Sequence, residues 1–325
     1  MNTVYTPLRY PGGKARLSSY FKALLRQNAL LDSHYVEPYA GGAGIALSLL
    51  MTDHCSHIYL NDISYPLFCF WHTVLCDPEY LCRRIHDARI TTESWDKQKG
   101  IQRRSNSYTR AEVGYSFLFL NRTNRSGIQN GGMIGGRNQD GKWKLDARFN
   151  KKELISRIER ISEHRSRISI YNLDAVKFLE TIILRLPEKT LVYFDPPYYA
   201  NGRRLYADYY SHDDHVIISE HVQARLKHPW VVTYDNHPSI LGLYGKRRRF
   251  VYNLNYSAHS YRVGTEVMLF SDHITIPEPN FKVIECVLEP PKRLRSSVPA
   301  RIDRSETHRR QMDRSVPGDG VKFVK

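Results

Sequence analysis

Thr190-Leu191-Val192-Tyr193-Phe194 is an unbroken β-rich run, and it ends at Asp195-Pro196-Pro197-Tyr198. A strand with one wet face alternates apolar and polar residues. One without alternation needs cover on both faces, the condition of a parallel strand inside an α/β sheet. The signal recurs in Trp230-Val231-Val232-Thr233-Tyr234, and Arg167 to Tyr171 reads as a strand leading to Asp174. Near the start, His34-Tyr35-Val36-Glu37-Pro38-Tyr39 reads as a short strand entering Ala40-Gly41-Gly42-Ala43-Gly44. Ile45 to Leu50 then reads as a helix, and His57 to Leu60 as a strand closing at Asn61-Asp62. Strand, glycine loop, helix, strand is the order of a doubly wound α/β unit. Ala175 to Leu186 reads as a further helix, and Arg249 to Tyr256 with Glu266 to Phe270 as an antiparallel pair at the sheet edge.

The two sheet halves are separated by residues of another character. Residues 76–165 hold 19 Lys/Arg against 11 Asp/Glu, and residues 286–325 hold 10 against 5, so these segments carry most of the +15 net charge. A basic excess confined to an insert and a tail fits a polyanionic partner, although a general solubility charge gives the same sum. The insert reads helical at both ends, with Leu154, Ile155, Ile158 and Ile161 at helical spacing. Its middle, Asn124 to Asp146, mixes glycines with Arg125, Arg137, Lys142 and Lys144 and reads as a loop or hairpin. The tail from about residue 286, rich in Pro, Ser and Arg, is expected to be disordered. No apolar run approaches the roughly 20 residues of a membrane span, and no secretory signal precedes the first strand. Five cysteines without a CxxC pair argue against a disulfide framework or zinc site and for a reducing cytoplasm.

Three segments carry chemistry. A glycine turn after a strand lets backbone approach a ligand, and Asp62, 20 positions beyond Gly42, is placed for ribose hydroxyls. The same residues would also serve helix–strand packing and a helix cap. Arg9-Tyr10-Pro11-Gly12-Gly13-Lys14 invites a phosphate-loop reading, but GxxxxGK[ST] needs Gly where Leu8 stands and Ser or Thr where Ala15 stands. Asp195 to Tyr198 is the most informative, because it lies at the carboxyl edge of a buried strand. An exocyclic aromatic amine is a poor nucleophile, its lone pair being delocalised into the ring. A carboxylate and the Pro196 carbonyl, accepting its two N–H bonds, would hold that nitrogen nearer tetrahedral and aimed at an electrophile. Pro196 and Pro197 fix the backbone for this, and Tyr198 offers a ring for a base to stack on. A strand-ending Asp-Pro-Pro turn with a core-facing Tyr is the alternative. His212, Asp213, Asp214 and His215 read as a polar helix start, and no metal is expected.

In this order the motifs resemble the Dam-type (class alpha) DNA adenine-N6 methyltransferases over roughly residues 5–275. Arg9 to Lys14 resembles the family's N-terminal cofactor motif, with Tyr10 where Trp is frequent. Glu37 to Gly44 resembles its glycine loop, Asn61-Asp62 its ribose-binding acid, and Leu120 to Gly127 the start of its DNA-contacting segment. The resemblance implies a Rossmann-like methyltransferase sheet, residues 1–75 and 166–285, with S-adenosyl-L-methionine as cofactor. Residues 76–165 become a mainly helical target-recognition insert with a Gly-rich hairpin, and 286–325 a basic tail. Tyr10, Lys14, Glu37, Gly41, Gly42, Gly44, Asp62, Asp174 and Asp195 would hold the cofactor, Lys14 near its methionine carboxylate. Asp195, Pro196, Pro197 and Tyr198 would be catalytic, acting on a flipped base, and Arg122, Asn124, Arg125 and Arg137 would meet double-stranded DNA. N4-cytosine methylation uses the same chemistry, and a non-catalytic DNA-binding module would keep the same fold. The resemblance admits a cognate restriction endonuclease as partner and a bacterial, phage or prophage setting.

Overall fold

The computed structural model describes residues 4–9, 14–200, 210–245, 247–256 and 262–288. Eight strands form one sheet among them. Parallel strands β1 (Ser33–Glu37), β2 (Cys55–Asn61), β3 (Ile168–Tyr171), β4 (Thr190–Phe194) and β5 (Trp230–Asp235) lie in the order β3-β2-β1-β4-β5. Antiparallel strands β6 (Arg249–Tyr256), β7 (Arg262–Phe270) and β8 (Val283–Val287) extend it as β7-β6-β8. Strand β8 adds an edge that the sequence reading lacked and runs two residues into the segment assigned as tail. The chain leaves β1 for β2 on one side, whereas β4 pairs on the other. The crevice outside the carboxyl ends of β1 and β4 is thus a topological switch point, where open α/β sheets bind ligands.

Side-chain alternation splits the core into two layers. Tyr35, Ile58, Leu191, Tyr193 and Val231 face one way, packing with helices α1 (Ser18–Gln27), α2 (Gly44–Leu50) and α3 (Tyr65–Cys76). Val36, Val192, Phe194, Val232 and Tyr234 face the other, beneath α8 (Ala175–Thr181), α9 (His212–Ala224) and α10 (Pro238–Tyr244). Every residue of β4 is buried, as its unbroken pattern demands.

The insert supplies α4 (Pro78–His86), α5 (Thr92–Arg103), α6 (Arg110–Thr123) and α7 (Lys151–Ser162). Helix α6 starts with a Thr109–Glu112 capping box and is buried from Val113 to Thr123. It packs along α3, so Leu81, Val113, Leu118, Leu154 and Ile158 share the core of the first layer.

Two local expectations change. The helix expected over 175–186 stops at Thr181 and continues as a 3-10 turn, Ile183–Arg185, because consecutive β-branched residues crowd that turn. The Gly-rich hairpin is not a ladder: among the described residues its pairing is a single bridge between Asn124 and Met133. Positive φ at Gly135 and Gly136 suits turns rather than a strand. The Gln139 side chain stitches the turns by donating to the Ile134 and Gly136 carbonyls and accepting from the Leu145 N–H.

Candidate active site

The switch-point crevice holds a cavity of about 300 Å³ lined by Glu37, Gly41, Gly42, Gly44, Asp62, Asp195 and Pro197, among others. Asp62 closes the glycine loop onto the end of β2: Oδ2 accepts from the Gly41 N–H at 3.0 Å and Oδ1 from the Ser64 N–H at 3.0 Å. On the far side of the loop the Gly41 carbonyl accepts from the Trp71 indole at 3.1 Å. Gly44 lets the loop pack closely, since a Cβ there would crowd the Ala15 Cβ at 3.0 Å. Glu37 ends β1 inside the wall, its Oε1 accepting from the Ala46 N–H at 3.1 Å and the Tyr35 hydroxyl at 3.2 Å. Burial pushes its pKa up to about 8, against the pull of those two donors. Asp174 is turned elsewhere. It caps α8, accepting from the N–H groups of Val176 and Lys177, while its neighbours Leu173 and Ala175 line the cavity. Tyr10 lies outside the described residues.

Asp195 leaves β4 into this cavity with its side chain 23% exposed. Lys14 Nζ lies 3.2 Å from Oδ1, and the Thr233 hydroxyl donates to that same oxygen at 2.7 Å. Among the described residues Oδ2 has no hydrogen-bond partner, so one oxygen is anchored and the other is open. The resemblance places Lys14 near a ligand carboxylate, but its ammonium is already engaged by side chains of the protein. It is buried between Asp195 and Glu266, 3.1 Å from Glu266 Oε1, and donates to the Tyr198 hydroxyl at 3.0 Å. Burial disfavours its charge, but the two carboxylates win and raise its pKa well above the ordinary value. Asp195 is shifted upward by burial, with Lys14 opposing and Glu266 reinforcing.

Tyr198 departs from the expected open stacking face. It is 6% exposed, with Lys14 Nζ 4.9 Å from its ring centroid and its hydroxyl donating to Glu266 Oε1 at 2.8 Å. Its ring therefore belongs to the wall behind Asp195. Pro196 is buried, whereas Pro197 faces the cavity. The turn is held from β5, where the Asp235 carboxylate accepts from the N–H groups of Tyr199 and Ala200 at 2.8 and 2.9 Å.

The candidate DNA residues divide. Arg125 and Arg137 are exposed, and Arg137 pairs with Asp96 at 2.7 Å. Arg122 is only 7% exposed, its Nε has no hydrogen-bond partner, and burial beside Arg157 and Arg9 lowers its pKa to about 10. Asn124 does not reach outward. Wholly buried, it accepts from the Trp95 indole at 2.7 Å and donates to the carbonyls of Ile128 and Gln129, the interior work of shaping the loop. In the basic run at 246–249, Arg247 and Arg249 pair with Asp272 and Glu285, and Lys246 lies outside the described residues.

Residues 10–262 match the D12 class N6 adenine-specific DNA methyltransferase family. The chain belongs to that family. It is a DNA methyltransferase acting on the N6 amine of adenine, so of the two amines that the Asp195 motif could serve, adenine's is the one used. The enzyme needs a methyl donor and a DNA substrate. It is also 23% identical, over 204 residues, to the Type II methyltransferase M.MjaIII of Methanocaldococcus jannaschii, an alignment covering 59% of this chain and 68% of that relative.

Several groups that shape the methyltransferase's site escaped the sequence reading. Thr233 and Glu266 lie within the strands read from sequence, and Asp235 ends β5 one residue beyond the run Trp230 to Tyr234. A carboxylate heading the apolar run Val267 to Phe270 was the available signal for Glu266. Asn121 ties the N-terminal segment to the insert, accepting from the Arg9 N–H at 2.8 Å and donating to the Arg9 and Gly127 carbonyls at 2.7 and 3.1 Å. His215 turns inward to the Tyr234 hydroxyl at 3.1 Å, and Asp214 completes a capping box with Ser211 at the start of α9, so both serve the fold.

Proposed function

We propose that the protein transfers a methyl group from S-adenosyl-L-methionine directly to the N6 amine of an adenine flipped out of double-stranded DNA. The observation that carries this reading is the asymmetry of Asp195, anchored through Oδ1 and open through Oδ2 beside a cavity at the switch point. The cofactor would lie along the Gly41–Gly44 loop, with Asp62 toward its ribose and Glu37 and Asp195 supplying negative charge. The lining fits a cationic nucleoside: glycine backbone for close approach, one acid at each end, and a volume in the range of small-molecule sites. When bound, it supplies a methyl carbon made electrophilic by its sulfonium.

This chain's residues do the rest. Asp195 Oδ2 accepts one N6–H, and the Pro196 carbonyl is assigned the other, so the nitrogen lone pair turns out of the ring plane. The proton that N6 loses leaves by way of Oδ2, the open oxygen. Inside a duplex the N6 amine is stacked and paired, so the base is expected to be extruded into the crevice. Arg125 and Arg137 meet backbone phosphates or base edges, together with Arg122 where the strand reaches it. Trp143, 59% exposed between the cations of Lys142 and Arg148, offers a further stacking surface on the insert. No helix among the described residues is long and apolar enough to cross a membrane.

The test is transfer of labelled methyl groups to duplex DNA by the wild type and by Asp195→Asn, with the product nucleoside identified by mass spectrometry. Loss of at least about 100-fold, the scale of a transition-state contact, is expected. Equal rates would remove Asp195 from the reaction.

A further inference from the structure

Glu266 is wholly buried in the middle of β7, opposite Asp235 on one side and Tyr252 on the other. Asp235 is turned to the backbone of Tyr199 and Ala200, so the groups gathered on Glu266 are cationic or hydroxylic. Oε1 accepts from the Tyr198 hydroxyl at 2.8 Å and faces Lys14 Nζ at 3.1 Å, while Oε2 accepts from the Tyr252 hydroxyl at 2.8 Å. Burial raises the Tyr252 phenol's pKa well above its ordinary value, so it stays protonated and donates. A carboxylate with this many donors is stable in the interior, but a hydrophobic residue of similar size would hold a strand together as well. The placement therefore calls for a purpose other than stability. Lys14 and Asp195 line the cavity and Glu266 stands behind them, in contact with the site through Lys14 and Tyr198.

We infer that Glu266 is a positioning residue for methyl transfer, clamping the Lys14 ammonium and the Tyr198 hydroxyl behind Asp195 and sharing the lysine's charge. The inference rests on the reading of Asp195 as acceptor for the target amine. Two carboxylates on one ammonium leave Asp195 only partly neutralised. It stays a better proton acceptor than it would be with Lys14 to itself, and acceptor strength governs how well it draws on N6–H. Among the described residues the other groups facing Asp195 are Thr233 and Tyr234 on β5, Tyr193 on β4, Glu37 on β1, and Tyr198. None of them competes for Lys14 at hydrogen-bonding distance through a carboxylate, as Glu266 does.

Glu266→Gln tests this in the full-length protein. The amide can keep its oxygen toward Lys14 and donate its N–H to the Tyr252 hydroxyl oxygen, so the shape survives and the charge goes. With S-adenosylmethionine saturating, kcat/KM for DNA is followed from about pH 5 to about pH 9. The expected result is a fall of at least about tenfold, with the acid limb moved to lower pH because Lys14 then serves Asp195 alone. Glu266→Asp, which retains the charge, is expected to lose rate while its acid limb stays with the wild type. A wild-type rate for Glu266→Gln, or a reduced rate with an unmoved acid limb, would overturn the inference. Should Glu266→Gln not fold, a wild-type rate for Glu266→Asp would do the same. Asp195→Asn run in parallel separates the cases: if it keeps activity, the reading of the site itself fails.

Discussion

The Thr233 hydroxyl lies 2.7 Å from Asp195 Oδ1 and 2.8 Å from the Tyr193 hydroxyl. An ionised carboxylate only accepts, so Thr233 donates to Asp195 and must accept from Tyr193. The direction of both bonds is fixed, and with it the carboxylate's orientation. Thr233→Val keeps the shape of the strand and removes that anchor. A hydrogen bond to a charged group is worth about 1.5–3 kcal/mol, so kcat is expected to fall about 10- to 100-fold. Donor affinity, measured by calorimetry, should hold. A kcat within twofold of wild type would show that Lys14 alone aims Asp195.

With the methyl donor placed as proposed, Glu37 is expected to give its binding a pH dependence of known sign. Its pKa, raised to about 8 by burial, leaves the carboxyl largely protonated at neutral pH when the cavity is empty. Such a shift contributes stability below the unfolded pKa, lost as pH rises through the folded one. A sulfonium favours the ionised form, so binding expels a proton and affinity rises with pH up to about 8, by at most about tenfold per unit. Calorimetry in buffers of different ionisation enthalpy counts the proton. The demethylated thioether product is the control, since it lacks only the charged sulfur and methyl. Parallel slopes for donor and product, or an unchanged slope in Glu37→Gln, would assign the proton elsewhere.

Much of this site was legible before any coordinates, because it follows from patterns read locally. The unbroken run Thr190 to Phe194 required a doubly covered strand, and the glycine loop required a ligand or a close neighbour. Asp62 and Asp195 then fall at the same sheet edge by topology alone. What was not legible depends on residues distant in sequence. Lys14, Thr233, Asp195 and Glu266 meet because β5 lies beside both β4 and β7, a register that no single segment encodes. Tyr198 misled for the same reason: its ring turns toward a lysine 184 positions away. The insert misled through composition, since glycines and arginines marked a loop without revealing that Asn124 is its interior strut.

That strut makes a prediction separating scaffold from contact. Asn124→Ala leaves the Trp95 indole N–H without its acceptor, while the Ile128 and Gln129 carbonyls keep the Gly131 N–H and the Lys99 ammonium. An unmet buried group costs about 1–3 kcal/mol, so a clear drop in melting temperature is expected. The salt dependence of DNA affinity should stay as in the wild type, because no phosphate contact is lost. A stable Asn124→Ala with a shallower salt slope would make Asn124 a DNA contact after all.

Gly127 presses the same loop against the N-terminal segment. Its φ of +74° is one that other residues adopt at a cost, and a Cβ would stand 2.3 Å from the Arg9 carbonyl. Gly127→Ala must therefore push away the segment that Asn121 holds and that leads to Lys14. Because the strain lies in the link between insert and site, methyl transfer is expected to fall further than DNA affinity does. Filter binding and single-turnover transfer on the same preparation would compare them, and equal losses would count against a linkage.

Arg137 and Asp96 pair across the surface of the insert at 2.7 Å, both well exposed. An exposed pair contributes little to stability, so its effect lies in what Arg137 does when DNA arrives. A phosphate must displace Asp96, and the carboxylate repels the strand as well. Asp96→Asn is therefore expected to tighten DNA binding at low salt, whereas Arg137→Gln weakens it and lowers the salt slope by about 0.9. Arg125→Gln should lower the slope by a like amount, there being no carboxylate partner to exchange among the described residues. Titrations at several salt concentrations with fluorescent duplexes give both quantities. If Arg137→Gln weakens binding to one sequence only, with the slope intact, Arg137 reads a base and not the backbone.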